Sequence, residues 1–87
     1  MSGAEAKGQS KREYRVMTVA LLRERKDSEA VEVAFSESAR FYRLPKVNSQ
    51  FERILKELRN AKEKKRSVRV LTESGDTSVI EDVRAGS

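Results

Sequence analysis

The side chains that most often carry enzymatic chemistry are missing from this chain. It has no His and no Cys among its 87 residues, which excludes an imidazole base, a thiol nucleophile, a disulfide frame and the usual zinc clusters. Carboxylates are the remaining proton-transfer groups, and Glu73, Asp76, Glu81 and Asp82 gather near the C-terminal end. Such a group can work as an acid and base pair or hold a hard cation. Neighbours on a strand face opposite ways, however, and the spacing fits no calcium loop. Exposed acids beside a hairpin are the simpler reading. The glycines, Gly3, Gly8, Gly75 and Gly86, form neither G-x-G-x-x-G nor a P-loop. The expectation is a protein that is not an enzyme and uses no cofactor or metal.

Cations offer more. The formal net charge is +5, but it is concentrated: positions 38 to 69 hold eleven basic residues and three acidic ones. Lys62, Lys64, Lys65 and Arg66 crowd into five positions, with Arg69 just beyond. A cluster of that kind can track a phosphate backbone, releasing condensed counterions as it binds. It also fits a solvated helix end that complements the helix dipole. A second group, Arg40, Phe41, Tyr42 and Arg43 followed by Lys46, interleaves aromatics with cations, as single-strand binders do on a sheet surface. Alternation lets one aromatic face outward; with Phe41 in the core, Tyr42 is the candidate stacking platform.

These groups must be positioned by a small domain. Charged residues are 38% of the chain and hydrophobic ones 37%, so the core is thin and the burial marginal. Residues 1–12 lack periodicity and read as a flexible arm, 13–84 as a single α+β domain and 85–87 as a tail. From Tyr14 to Leu22 both faces of an extended segment are apolar, which predicts a strand covered on both sides or one that bends to serve two sheets. The charged run Arg23 to Ser28 suits a connection. Val31, Val33 and Phe35 mark a half-buried second strand, and Ala39 to Leu44 a third, ended by Pro45. Phe51, Ile54, Leu55, Leu58 and Ala61 fall at helical spacing, with Ser49 and Glu52 as a capping box, predicting a helix over about 50–63. Val68 to Thr72 forms a fourth strand. Gly75-Asp76 reads as a two-residue turn with Gly at positive φ, and 77–83 as a fifth strand with a bulge near Glu81.

The order β-β-β-α-β-β is similar to that of the OB-fold, a five-stranded, partly open barrel. The alternative is an open antiparallel sheet with the helix packed on one face, whose exposed edges would invite a second copy. Two functions follow. One is nucleic-acid binding through Arg40, Tyr42, Arg43, Lys46, Lys62, Lys64, Lys65, Arg66 and Arg69; an acidic protein could use the same cations. The other is a homo-oligomerising or protein-interaction module. No apolar run reaches membrane-spanning length and no leader segment is evident, so a cytoplasmic protein is expected.

Overall fold

A computed structural model describes residues 13–86; the arm expected over 1–12 lies outside them. Five strands and one helix follow in the anticipated order: β1 Arg15–Arg23, β2 Ala30–Phe35, β3 Phe41–Pro45, α1 Phe51–Lys64, β4 Ser67–Thr72 and β5 Ile80–Ala85. The strands pair antiparallel in one open sheet ordered β3-β2-β1-β4-β5. Among the described residues no helix is long and apolar enough to cross a membrane.

The cover expected on both faces of β1 is absent: Met17 and Val19 face the core, whereas Val16 and Leu21 are 60% and 39% exposed, and the strand changes partner within one sheet. Arg15 to Thr18 pair with β4, and Val19 to Arg23 pair with β2, with Ala20 skipped in the register. A bulge there bends the strand and increases its twist. The turn after β2 holds this bend: Ser36 N–H donates to the Thr18 carbonyl at 2.9 Å, and the Glu37 carboxylate accepts from both Thr18 N–H and Thr18 Oγ1 at 2.8 Å. The bulge expected near Glu81 is also present, since Leu71 pairs with Asp82 and Thr72 with Ile80, leaving Glu81 as the extra residue.

Val31, Val33, Phe35, Val68 and Val70 point inward and share a core with Ile54, Leu55, Leu58 and Ala61 of α1. The helical stripe therefore buries the face its spacing predicts. Its cap differs from the expected box. Gln50 is the N-cap residue and makes no side-chain capping bond. Instead Asn48 Oδ1 accepts the Gln50 N–H at 2.7 Å while Asn48 Nδ2 donates to the Glu81 carbonyl at 3.1 Å. A tie to β5 fixes the chain's entry into the helix, and Ser49 is bypassed.

The β4–β5 connection also departs from expectation. It spans 73–79, and no glycine among the described residues has positive φ. Asp76 Oδ1 accepts from Ser78 N–H and Ser78 Oγ at 3.0 and 2.6 Å, so an Asp side chain organises a wider loop where a tight glycine turn was expected. At the other end the strand runs through Ala85, and Gly86 N–H donates to the Ser67 carbonyl at 3.2 Å.

The sheet edges are largely occupied. Arg43 N–H donates to the Ser78 carbonyl at 2.8 Å, and a single parallel bridge joins Arg43 to Val79. On β5 the Glu81 and Val83 carbonyls accept from Asn48 and Arg53. Groups bonded in this way are withdrawn from pairing with another strand.

Candidate functional site

The nine residues singled out by charge and aromatic spacing fall into two regions. Arg40, Tyr42, Arg43 and Lys46 belong to β3 and its flanks; Lys62, Lys64, Lys65, Arg66 and Arg69 lie at the exit of α1 and on β4.

On β3 the alternation is present with its phase reversed. Tyr42 is 2% exposed and packs edge-on against Phe35, ring centroids 5.2 Å apart, whereas Phe41 is 44% exposed. A buried Tyr42 cannot stack a base. Tyr42 pairs with Val33 and Leu44 with Val31 across the sheet, so two apolar residues of β3 set the inward face and Phe41 follows outward. The shared parity of Tyr42 and Leu44 is visible in the sequence and decides the phase.

The cations of this region all have acceptors. Arg40 donates to the Thr77 hydroxyl at 3.0 Å and lies over the Tyr42 ring. Arg43 pairs with Asp76 at 3.4 Å. Lys46 Nζ donates to the Arg25 carbonyl at 2.7 Å.

The helix exit is built differently. Lys62, Lys64, Lys65 and Arg66 are exposed, and among the described residues none forms an ion pair or side-chain hydrogen bond. The backbone explains how they are displayed. Lys65 N–H donates to the Lys62 carbonyl and Arg66 N–H to the Ala61 carbonyl, the paired bonds of a Schellman ending. That ending requires a left-handed residue, and Lys65 supplies it at φ 55°, the one non-glycine with positive φ among the described residues. Glycine is the usual occupant, and an L side chain there costs about 1 kcal/mol. The chain therefore holds a lysine where backbone geometry favours none. Arg69 extends the group onto the outer face of β4, its Nε 3.4 Å from the Ala85 carbonyl and its backbone opposite Arg84.

The acidic residues do not converge. Asp76 belongs to its own loop, while Asp82 sits among donors that sequence spacing concealed. Tyr14 donates to Asp82 Oδ2 at 2.6 Å, Arg84 Nε approaches the same oxygen at 3.1 Å, and Arg53 pairs with Oδ1. Partial burial raises the Asp82 pKa, but hydrogen bonds from Tyr14, Arg53 and Arg84 outweigh it and leave the pKa below the ordinary aspartate value. This clasp joins the start of β1, the helix and β5, and acts as a structural tie. Arg59 likewise reaches Glu24 with Nε 3.0 Å from Oε2, and that hydrogen bond, against a smaller burial effect, lowers the Glu24 pKa. An i,i+4 partner on the helix is thus passed over for a loop residue.

No family model matches this chain, and neither does any curated protein. Two solved structures of pro-protein-glutaminase, one of them a mutant, are similar in fold, each with a TM-score of 0.75. The mutant is 17% identical over 87% of this chain and 26% of its own, and the other 19% identical over 86% and 25%. The chain thus spans about a quarter of the length of these precursors, and at this identity the likeness is one of fold.

Proposed function

We propose that the domain is a non-enzymatic nucleic-acid-binding module that holds phosphates at the exit of α1. The observation that carries this reading is the group Lys62, Lys64, Lys65 and Arg66, four exposed cations within five positions that have no partner among the described residues. A phosphate approaching them displaces counterions, with no ion pair to break among the described residues. The left-handed Lys65 supports the same reading, because a local backbone cost is borne where a charge is displayed.

We read the strand order, with the bridge between Arg43 and Val79 approximating the two edge strands, as an incompletely closed relative of the OB-fold. That topology hosts many functions and does not select this one. A catalytic reading would take its reaction from the glutaminase precursors, which resemble this chain over a quarter of their length. The chain has neither thiol nor imidazole to support it. Edge-to-edge self-association draws little support from edges whose groups are already bonded.

Fluorescence anisotropy with labelled single- and double-stranded oligonucleotides tests the proposal. With Lys62, Lys64, Lys65, Arg66 and Arg69 engaged, log affinity for duplex should fall with log salt at a slope of about −4. Absence of binding at low salt, or binding indifferent to salt, overturns it. Equal binding to an acidic polypeptide such as polyglutamate would move the assignment to acidic proteins.

A further inference from the structure

The residues that lead into β1 and β3 meet the loop that follows β4 around a recess of about 360 Å³, which no residue of the helix exit lines. Glu13 and Arg15 line it from β1, Arg40 and Tyr42 from β3, and Glu73 and Thr77 from the loop. Arg15 shares the parity of the buried Met17 and Val19, so β1 turns it to the core side of the sheet, where Tyr42 is buried. Arg40 lies over the Tyr42 ring, 5.2 Å from its centroid, and donates to Thr77 Oγ1 at 3.0 Å. The Tyr42 hydroxyl donates to Ser38 Oγ at 3.4 Å, a long bond for two oxygens. Its pKa is lowered, first by that bond and then, against burial, by Arg40 and Arg15, so both guanidiniums lie close to one hydroxyl. Among the described residues Glu13, Arg15, Arg40 and Glu73 form no ion pair, with one another or elsewhere.

We infer that this recess binds a small zwitterion with the carboxylate and ammonium groups of a free α-amino acid, the carboxylate between Arg15 and Arg40 and the ammonium toward Glu73 and Glu13. Opposite charges that line one recess without reaching ion-pair distance leave room for a molecule carrying both signs. A guanidinium offers five N–H donors. Arg40 gives Thr77 only its Nη2 group, and Arg15 gives none to a described residue. Both can therefore take a carboxylate, and the Tyr42 hydroxyl can exchange its long bond for a third contact. Stacking on Tyr42 and the bond to Thr77 hold Arg40 in place before binding, which lowers the ordering cost. A plain anion is disfavoured by the two carboxylates and a plain cation by the two guanidiniums, so the lining selects a ligand that satisfies both. The volume falls in the lower part of the range for small-molecule sites.

The test is an amide-resolved NMR titration of the full chain with each of the common free L-amino acids at millimolar concentration. At least one should move the resonances of Arg15, Tyr42 and Glu73 saturably. Its N-acetyl derivative and its amide, each lacking one charge, should bind about tenfold or more weakly. Arg15→Gln should weaken the amino acid by about tenfold and reduce the discrimination against the amide; Glu73→Gln should do the same for the N-acetyl derivative. Both side chains are exposed and without a partner among the described residues, so the fold should hold, as the remaining amide resonances verify. No saturable shift at the recess with any amino acid overturns the inference. So does binding of acetate or the N-acetyl derivative as tight as that of the amino acid, which makes the recess an anion site, or discrimination left unchanged in both variants.

Discussion

The β3 face and the helix exit contribute cations in similar number to one basic stretch of sequence, and the fold treats them in opposite ways. Arg40, Arg43 and Lys46 each end on an acceptor within the domain. Lys62, Lys64, Lys65 and Arg66 end in solvent. Charge counted along a chain is therefore not charge available to a ligand. An arginine already bonded must exchange its partner to bind phosphate, whereas a solvated lysine gives up only water and counterions. On the proposed reading the helix exit, rather than the β3 face, is where a polyanion binds.

The largest effect expected on this contrast comes from removing the exit charges together. Lys62→Gln, Lys64→Gln, Lys65→Gln and Arg66→Gln in one variant should weaken oligonucleotide binding by about two orders of magnitude and flatten the salt slope by about 3 to 4, measured by anisotropy. The fold should survive, because all four side chains are exposed.

Two glycines sharpen the comparison through stability. A Cβ on Gly86 would lie 2.5 Å from the Ser67 carbonyl oxygen, whereas one on Gly75, in the loop beside β3, meets nothing within 4 Å. Gly86→Ala should cost about 1–3 kcal/mol in urea denaturation, by forcing apart the strand ends that follow the helix exit. Gly75→Ala should be neutral or stabilise by a few tenths up to about 1 kcal/mol.

Asp82 provides a pH test. Its folded pKa lies below that of the unfolded chain, so its stabilising contribution is complete above the unfolded value of about 3.9 and disappears as pH falls through the folded one. Asp82→Asn should cost about 1–2 kcal/mol at neutral pH, an amount typical of charge-assisted hydrogen bonds. Wild type and variant should converge in chemical denaturation as pH falls through the folded pKa of Asp82.

Lys65→Gly separates display from stability: it should raise stability by about 1 kcal/mol by relieving the left-handed lysine, while lowering oligonucleotide affinity. The smallest effect belongs to Arg43→Gln, which breaks an exposed pair worth at most about 1 kcal/mol and should leave oligonucleotide binding within about twofold of wild type.

Much of this architecture was legible from periodicity. The helical stripe from Phe51 to Ala61, the alternating β2 and the bulge at Glu81 follow from where apolar residues recur, because burial rewards those spacings directly; the cover expected on both faces of β1 does not, since Val16 and Leu21 stay exposed. The helix cap, the β4–β5 loop and the phase of β3 did not follow so simply. Asn48 takes its role from the distant Glu81 carbonyl, whereas Asp76 answers to Ser78 two residues on and Tyr42 shares the parity of Leu44, local signals outweighed by the Gly75-Asp76 turn pattern and by the usual inward place of phenylalanine. The candidate site was half legible: sequence spacing brought the exit cations together, but it could not show that Asp76 and Thr77 would engage the arginines of β3.

The division between engaged and free cations is tested most directly by an amide-resolved NMR titration of the full chain with a short oligonucleotide at low salt. Shifts should concentrate at Lys62, Lys64, Lys65 and Arg66 and leave Arg40, Arg43 and Lys46 in place. Shifts centred on β3, or none at the helix exit, would contradict the account.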